Sequence, residues 1–354
     1  MKRQIKYSQA VNEALDLCMK KDPNVFIVGE GVPDPKGIFG STLGLKEKYK
    51  ERVMDMPVSE NGLTGICIGA ALRGMRPVMT HQRVDFCLLA LDQIINNAAK
   101  WHFMFGGKMN VPIVVRLIIG CGWGQGAQHS QNLQAIFAHI PGLKVIMPAT
   151  AYDAKGMMIS AIEDNNPVVC LEHRWLYELV DEVPQDMYRV PLGEASVSRA
   201  GTDITIVSSS YMVIESRKAA GILEKSGVSA EVIDLRTIKP LDEKTVLQSV
   251  KKTGHVLVVD SAAMSGSVTG EIIARICESA FKELLAAPQR LAAPDIPTPS
   301  TPGLTKNFYP RAGTIAEKVF DILNKDKNIL KKVLNQQAES RPHDVPDLSF
   351  RGPF

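Results

Sequence analysis

The feature that most constrains the fold is a repeated alternation of short apolar segments with helical periods. Segments such as Val25–Val28, Val111–Ile119 and Ile204–Ser208 are apolar almost throughout and rich in β-branched residues. Continuous apolar strands are typical of parallel sheets covered on both faces, whereas strands of a half-exposed sheet alternate apolar with polar residues. Segments with the i, i+3, i+4 spacing of an amphipathic helix separate these strands. The sequence therefore predicts an α/β protein.

The alternation runs twice, and this predicts two domains. Between Val183 and Gly201 the chain is polar, contains proline and has no helical period. Exposed linkers between domains have this composition, and 354 residues suit two domains. We predict a first domain at residues 1–190, a second at 191–325, and a tail at 326–354 that is basic and then proline-rich. We expect the tail to pack on a partner or to stay mobile.

Composition and charge argue against several classes of protein. Hydrophobic residues make up 45% of the chain, and 41 basic against 38 acidic residues leave a net charge of +3 without a basic block. We therefore expect no nucleic-acid partner. The most apolar run, residues 111–122, contains Arg116 and is far shorter than the ~20 residues of a membrane helix. The N-terminus lacks the apolar core of a signal peptide, so we expect neither export nor a membrane location.

The cysteines and histidines do not form a recognisable metal or disulfide pattern. The six cysteines lie far apart, without a Cys-x-x-Cys pair. Histidines such as His81 and His173 show no metal-type spacing with carboxylates or cysteines. We therefore expect reduced thiols in a cytoplasmic protein and no zinc site.

Glu60 is the first candidate for a chemical role. It follows Ser59, which can cap a helix whose apolar stripe comprises Leu63, Ile66, Cys67, Ala70 and Ala71. Glu60 then lies in the first turn of a helix, at the carboxyl edge of a parallel sheet, where open α/β folds bind ligands. A carboxylate in a first turn is also favoured by the helix dipole alone. Position therefore suggests a site without establishing one.

His129 is the second candidate, because it follows a glycine-rich turn between Gln128 and Ser130. An imidazole on a strand-end loop can exchange a proton near neutral pH, although a lone histidine is more often structural. The turn itself, residues 120–126, lacks the third glycine of a dinucleotide fingerprint. Residues 104–108 likewise lack the spacing and the Ser/Thr of a P-loop. Nucleotide binding therefore has no support in these motifs.

Seven ordered segments establish a family resemblance. They are Pro57–Glu60, Leu91–Lys100, Ala127–Gln131, Pro141–Val145, Tyr152–Gly156, Asn165–Val168 and Glu231–Arg236. Together they resemble the β subunit of thiamine-diphosphate-dependent 2-oxo-acid dehydrogenases, the E1 component of pyruvate and branched-chain complexes. The resemblance runs from about residue 5 to 323. It implies a three-layer αβα pyrimidine-binding domain with a parallel sheet, followed by a transketolase-type C-terminal α/β domain.

The resemblance also implies roles for individual residues. Glu60 matches the glutamate that hydrogen-bonds the cofactor's aminopyrimidine and favours the tautomer that removes the thiazolium C2 proton. Phe86 matches an aromatic that packs on the pyrimidine, and Gln82 is expected to contact the cofactor where relatives usually carry methionine. His129 matches a histidine at the place where the 2-oxo acid reacts. The positions that bind potassium in some relatives match Ile113, Ala161, Ile162, Asp164 and Asn166.

The sequence lacks the Gly-Asp-Gly…Asn motif that holds diphosphate and magnesium in thiamine enzymes. The resemblance therefore implies a separate α subunit that brings Mg²⁺, in an α2β2 heterotetramer. The implied reaction is decarboxylation of a 2-oxo acid, followed by acyl transfer to a lipoyl group on an E2 partner.

Two departures from the family leave the substrate open. After Arg116, relatives typically read Gly-Pro-Asn-Gly where this chain reads Leu-Ile-Ile-Gly, and their glutamate- and phenylalanine-containing pattern becomes Thr80-His-Gln-Arg83. The polar residues 81–83 suit a hydroxylated or charged substrate. One alternative is a two-chain transketolase-like or acyloin-forming enzyme acting on a sugar or hydroxy-keto substrate. The other is a scaffold without cofactor, against which Glu60 and His129 argue.

Overall fold

The chain divides into two compact units. The computed structural model describes residues 3–121, 125–336 and 345. Within that range the first unit comprises residues 3–121 and 128–192, and the second comprises residues 125–127 and 193–336. Part of the glycine-rich turn, residues 122–124, lies outside the described residues, as do residues 337–344 and 346–354 of the predicted tail.

The first unit is built from short, mostly buried strands and the helices between them. Its strands are β1 (Gln4–Lys6), β2 (Val25–Gly29), β3 (Val53–Met54), β4 (Arg76–His81), β5 (Val114–Ile119), β6 (Lys144–Ile146), β7 (Val168–His173) and β8 (Val180–Glu182). Its helices are α1 (Tyr7–Lys21), α2 (Leu45–Tyr49), α3 (Glu60–Leu72), α4 (Val84–Cys87), α5 (Trp101–Met104), α6 (Gln134–His139) and α7 (Ala151–Glu163).

Six of these strands lie side by side and parallel, in the order β6-β7-β5-β4-β2-β3. Every residue of β2, β5 and β7 is buried, which explains their uninterrupted apolar sequences. Strands β1 and β8 form a separate antiparallel pair. The predicted α/β class is confirmed, and the parallel order brings the carboxyl ends of β2, β4, β5 and β7 to one edge.

The second unit repeats the α/β plan around its own sheet. Its strands are β9 (Ser196–Arg199), β10 (Ile204–Ser208), β11 (Ala230–Asp234), β12 (Thr237–Lys239), β13 (Val256–Ala263) and β14 (Gln289–Ala293). Its helices are α8 (Tyr211–Lys225), α9 (Glu243–Thr253), α10 (Val268–Ala280), α11 (Pro302–Thr305), α12 (Ala312–Ile322) and α13 (Lys327–Gln336). The sheet order is β14-β13-β10-β11-β9, and only β9 runs antiparallel to its neighbour.

The beginning of the predicted tail is helical and belongs to the second unit. Helix α13 packs against α8 and α12, and it buries Leu330. We expected this segment to pack on a partner or to stay mobile, whereas residues 327–336 cover part of the chain's own surface. An apolar residue among lysines was the signal for this amphipathic helix.

The long helix that the sequence predicts from Asp85 to about Trp101 is interrupted. Helix α4 passes into a 3₁₀ turn at Leu88–Ala90, and a π-helical segment follows at Gln93–Ala98 before α5. π-Helical turns are rare and frequently occur at functional sites. None of the helices in the described part of the chain is long and apolar enough to cross a bilayer.

Candidate active site

The predicted site residues lie around the carboxyl edge of the first unit's sheet. A glycine at the end of β2 allows two loops to approach there. Gly31 has a φ of +70°, and a Cβ atom at this position would lie 2.5 Å from Nε2 of Gln82. Gln82 uses that Nε2 to donate a hydrogen bond of 3.0 Å to the carbonyl of Glu30. Only glycine accommodates both the left-handed backbone and the contact.

Glu60 is the first residue of α3 and is buried, with 5% of its surface exposed. Within the described residues its carboxylate receives no hydrogen bond, and its backbone carbonyl accepts a hydrogen bond of 2.6 Å from the Thr64 hydroxyl. Burial, and after it the charge of Glu60, raises the pKa of Cys87, which places the carboxylate near α4. A buried carboxylate without a partner is costly unless a ligand supplies one.

The start of α3 differs from the sequence prediction in two respects. Ser59 precedes the helix, but its side chain makes no capping hydrogen bond. The buried face comprises Glu60, Thr64, Cys67, Ile68 and Ala71. Ile66 therefore points outward and is exposed, contrary to the predicted apolar stripe. The stripe is rotated because Thr64 packs inward, with its hydroxyl 3.2 Å from the sulfur of Met79.

Phe86 and His129 are brought together, although 43 positions separate them along the chain. Their rings meet edge to face at 89°, with centroids 5.6 Å apart. Phe86 is partly buried, and His129 is exposed. No hydrogen bond is recorded for the imidazole of His129 in the described part of the chain, so both ring nitrogens are available to a ligand.

A further pair, which we did not single out from the sequence, supports this arrangement. Nε2 of Gln131 donates a hydrogen bond of 2.7 Å to the Asp85 carboxylate. The bond ties the His129 loop to the start of α4, one residue before Phe86. Gln131 is the last residue of one of the family segments, and this is the sequence signal that could have identified it. Nothing local in the sequence indicates that Asp85 is its partner.

The polar residues 81–83 do not form one cluster. His81 ends β4 and is buried, and burial lowers its pKa to about 4, so its ring is neutral at pH 7. Gln82 turns to Glu30, whereas Arg83 extends over the ring of Phe39, with 5.8 Å between the guanidinium carbon and the ring centroid. We had grouped these three residues as one polar surface, and the structure separates them.

Four of the five residues predicted to bind potassium, Ala161, Ile162, Asp164 and Asn166, lie at or just after the end of α7, and the carbonyl of the fifth, Ile113, accepts the backbone N–H of Val168. Two of their carbonyls, those of Ile162 and Asp164, each accept a 3.0 Å hydrogen bond from Arg76. The carboxylate of Asp164 pairs with Lys144 and accepts the backbone N–H of Asn166. Oxygen ligands suit a hard cation, but two side-chain cations already occupy several of them. No cluster of three or more His, Cys, Asp or Glu suited to a metal occurs in the described residues.

Comparison with family models and known proteins shows the family of the chain. Residues 3–179 match the transketolase pyrimidine-binding domain, and residues 193–315 match the transketolase C-terminal domain. The chain is 43% identical over 326 residues to the acetoin:2,6-dichlorophenolindophenol oxidoreductase subunit beta of Cupriavidus necator, covering 89% of this chain and 96% of the relative. It is 44% identical over 305 residues to the 2-oxoisovalerate dehydrogenase subunit beta of Bacillus subtilis, with 85% and 93% covered.

A third relative, the mitochondrial pyruvate dehydrogenase E1 component subunit beta-2 of Oryza sativa, is 42% identical over 312 residues, with 87% of this chain and 83% of the relative covered. Among solved structures, a split-gene transketolase described as an inactive beta4 tetramer superimposes with a TM-score of 0.76. That alignment covers 90% of this chain and 99% of the other at 21% identity, so it supports the fold alone.

Proposed function

We propose that this chain, which belongs to the β-subunit family of the thiamine-diphosphate-dependent 2-oxo-acid dehydrogenases, supplies the pyrimidine-binding half of a two-subunit E1 enzyme. Thiamine diphosphate is the cofactor of this family, and its thiazolium ring supplies the carbon nucleophile that attacks a substrate carbonyl. The proposed reaction is decarboxylation of a 2-oxo acid and transfer of the acyl group to a lipoyl group on an E2 partner.

The observation that carries the proposal is the buried carboxylate of Glu60, which receives no hydrogen bond from the described residues and whose charge acts on Cys87, the neighbour of Phe86 in the Phe86–His129 pair. A ring nitrogen of the cofactor's aminopyrimidine would supply a hydrogen-bond partner for that carboxylate. The residue therefore fits the cofactor. Phe86 would offer its ring as a packing surface. The exposed imidazole of His129 would donate a proton to the substrate oxygen that becomes a hydroxyl. Gln82, held by Glu30, would present its remaining amide oxygen beside them.

A separate α subunit would supply Mg²⁺ and the diphosphate ligands, in an α2β2 assembly. The first unit exposes large apolar side chains on α3 and on the helical segments that follow α4, and these are the kind of residues that a subunit interface covers. They include Ile66 (65% exposed), Leu89 (63%) and Phe103 (87%), together with Val58 (74%) just before α3. Helix α3 packs directly against the 3₁₀ and π-helical segments.

The relatives indicate the substrate less clearly than they indicate the family. The three relatives above are named for acetoin, 2-oxoisovalerate and pyruvate, at similar identities. The comparisons favour a dehydrogenase-type E1 over an enzyme that transfers ketol groups between sugars. Acetoin is itself a hydroxy ketone, so it belongs in the substrate panel beside the 2-oxo acids.

The test is reconstitution with the α-type subunit encoded in the same genome. We expect Mg²⁺-dependent binding of thiamine diphosphate to the pair by calorimetry, and weak binding to this chain alone. The loaded pair should reduce an artificial electron acceptor with at least one 2-oxo acid or with acetoin. Micromolar, Mg²⁺-dependent binding by the isolated chain would contradict the division of the cofactor site. A pair that transfers ketol groups between sugars but oxidises none of these substrates would overturn the reaction.

A further inference from the structure

A cationic cavity lies at the β9 end of the second unit's sheet. Its volume is about 380 Å³, and it is lined by Ser198, Arg199, Ile214, Arg217 and Lys218. The edge strand β9 supplies the first two of these residues, and helix α8 supplies the other three. The lining therefore combines three cations with a hydroxyl and an apolar side chain, and it includes no acidic residue.

A β-bulge explains why two consecutive residues of β9 reach the same cavity. Neighbouring side chains of a regular strand point to opposite faces of the sheet. In β9, Val197 lies opposite Ile233 of β11. Arg199 lies opposite the preceding residue, Val232, so Ser198 between them has no partner in β11. Such bulges redirect side chains and are frequent next to active sites. Ser198 and Arg199 can thus line one wall together.

Helix α8 forms the other wall with a single face. Ile214, Arg217 and Lys218 have the spacing i, i+3, i+4, and residues with this spacing lie side by side on a helix. Ile214 is half-buried, whereas Arg217 and Lys218 are exposed. The two cations therefore reach solvent beside an apolar surface.

Arg217 is a cation of this cavity without a countercharge. Among the described residues its guanidinium forms no ion pair and no hydrogen bond to a side chain or carbonyl. Helix α8 contains two acidic residues, Glu215 and Glu224, and both pair with other groups. The charge of Arg217 is therefore available to a ligand.

The buried carboxylate of Glu215 is already well supplied with partners. It accepts a hydrogen bond of 2.9 Å from the hydroxyl of Tyr211 and one of 2.8 Å from the backbone N–H of Ala312. Nε of Arg311 lies 3.6 Å from it, and Nζ of Lys218 lies 3.5 Å from it. Lys218 thus shares this carboxylate with another cation and two donors, and its own charge is only partly neutralised.

The ion pair of Arg199 is exposed and can be displaced. Its Nη2 lies 2.9 Å from Oε2 of Glu224, whose side chain is 71% exposed. Water screens such pairs, so they contribute little to stability. A cavity in which one cation is unpaired and two are weakly paired attracts anions.

A phosphate group matches the donors around this cavity. The guanidinium groups of Arg199 and Arg217 can each bind phosphate oxygens through two parallel N–H groups. The hydroxyl of Ser198 makes no hydrogen bond within the described part of the chain, so it can donate a further one. The volume is at the lower end of that of small-molecule sites. The cavity therefore has room for a small organic group beside the phosphate, against Ile214.

We propose that this cavity binds a phosphate group, carried by a small metabolite or present as free inorganic phosphate. Arg217 is the principal anchor, since its charge is unpaired, and Glu224 competes with the ligand for Arg199. The site lies within the second unit, whereas Glu60 and His129 lie in the first. Phosphate binding that depends on Arg217, in a protein whose reconstituted pair turns over no 2-oxo acid, would retain the site and reject the proposed function.

Calorimetric titration of the full chain with inorganic phosphate tests the site, at constant ionic strength because salt screens exposed charges. The variants Arg217→Gln and Lys251→Gln each remove one exposed positive charge. Lys251 lies on α9, outside the cavity lining, and forms no ion pair with the described residues, so its variant controls for overall charge. We expect Arg217→Gln to weaken binding by about 5- to 20-fold, and Lys251→Gln by less than about 2-fold. Equal affinities in all three proteins, or no saturable binding by the wild type, would overturn the site.

A variant of opposite sign tests the part played by Arg199. Glu224→Gln removes the competing carboxylate, and its exposed position should leave the fold intact. We expect phosphate to bind about 2- to 5-fold more tightly, because an exposed ion pair no longer has to be broken. Glu278→Gln, an exposed change of equal charge on α10, is the control and should have no such effect. Unchanged or weaker binding by Glu224→Gln would contradict the contact of the ligand with Arg199.

Two further probes identify the source of the phosphate group. Glycerol 3-phosphate carries the group on a small organic body, and acetate is an anion of a single charge without it. Tighter binding of the ester than of inorganic phosphate would identify a phosphorylated metabolite, and weaker binding would identify free phosphate. Both results support the site if Arg217→Gln weakens the binding. Acetate that binds as tightly as phosphate would show that the cavity does not select a phosphate group, and the proposal would then be wrong.

Discussion

Two groups of buried charge lie in the same parallel sheet, and they differ in how completely they are paired. Arg116 on β5 and Glu172 on β7 are both 0% exposed and form two hydrogen bonds of 2.6 Å and 2.9 Å. The hydroxyl of Ser41 accepts a bond from Arg116, and that of Tyr177 donates one to Glu172. Near the carboxyl edge, the carboxylate of Glu60 receives no hydrogen bond from the described residues, and the buried Nε of Arg83 has no hydrogen-bond partner among them. Paired charges hold the strands together, whereas the incompletely paired charges are those that a ligand can complete.

The pKa values of the arginines in these two groups are shifted in opposite directions. The pKa of Arg116 is raised, because the attraction of Glu172 outweighs the burial that alone would lower it. The pKa values of Arg83 and Arg174 are lowered by burial, and at Arg174 also by the charge of Arg83. An arginine is therefore structural where a carboxylate forms hydrogen bonds with it, as at Arg116, whereas Arg83 keeps a buried Nε without a hydrogen-bond partner in the described residues. The predictions below test this distinction.

The largest expected effect comes from Glu60→Gln, which removes the titratable proton of an unpaired carboxylate and keeps its size. We expect turnover of the reconstituted enzyme to fall by about 10²–10⁴-fold, the usual loss when acid–base help is removed. Exchange of the C2 proton of bound thiamine diphosphate should slow in parallel. The urea midpoint should change little, because the described residues donate no hydrogen bond to this carboxylate. Wild-type exchange in the assembled variant would contradict the role of Glu60.

The converse expectation applies to Glu172→Ala, which leaves Arg116 buried without its partner. We expect a loss of roughly 3–5 kcal/mol in the free energy of unfolding, measured by urea denaturation. The double variant Arg116→Met/Glu172→Leu should recover most of that loss, since it removes both charges together. A loss below about 1 kcal/mol in the single variant would mean that the pair is not the structural charge we describe.

A smaller effect concerns the buried His81, whose pKa is lowered to about 4 from an ordinary 6.5. The unfolded chain binds a proton below pH 6.5 that the folded chain does not bind until about pH 4. Stability is therefore complete above pH 6.5 and decreases as the pH falls through this window, by up to about 3 kcal/mol. The variant His81→Leu should flatten this part of the urea-midpoint profile. His173, with a pKa lowered to about 3 by burial, contributes a parallel loss that remains in the variant.

The smallest expected effect is that of potassium. Arg76 and Lys144 already pair with oxygens of Ile162 and Asp164, so a bound K⁺ has to compete with two cations of the chain. We expect exchange of NaCl for KCl at equal ionic strength to shift the melting temperature by less than about 2 °C, corresponding to less than about 1 kcal/mol. The variant Lys144→Gln should increase the potassium effect. A large, saturable shift in the wild type would favour the site seen in relatives.

Local sequence patterns predicted the strands and most helices well. They did not predict the side-chain contacts at the carboxyl edge of the first unit's sheet. β10 lies where the apolar run Ile204–Ser208 predicts it, because β-branched residues between turns have few other structures available. The resemblance assigned Phe86 and His129 to the cofactor and the reaction site, whereas the contact between their rings was not predicted. The contact of Phe39 with Arg174 was not predictable either, since it depends on how two loops separated by over 130 positions close over the sheet.

Individual side chains also determine structural details that the sequence patterns did not predict. Ser59 occupies the N-cap position, but its side chain makes no capping hydrogen bond, and Thr64 rotates the buried face of α3. The π-helical segment at Gln93–Ala98 has the same apolar spacing as an α-helix over one turn. One additional residue per turn leaves no local signature in composition, so the sequence predicted a regular helix.

The loop at Ile38 and Phe39, whose φ values are 37° and 57°, has a consequence for attempts to make this protein more heat-resistant. Each left-handed residue with a side chain costs roughly 1–2 kcal/mol, and glycine would remove most of that cost. Directed evolution for thermal tolerance alone should therefore recover glycine at position 39 early. Such clones would survive heating but lose the aromatic ring of Phe39. A screen that counts only surviving protein would therefore select against the contact of this ring with Arg83 and Arg174.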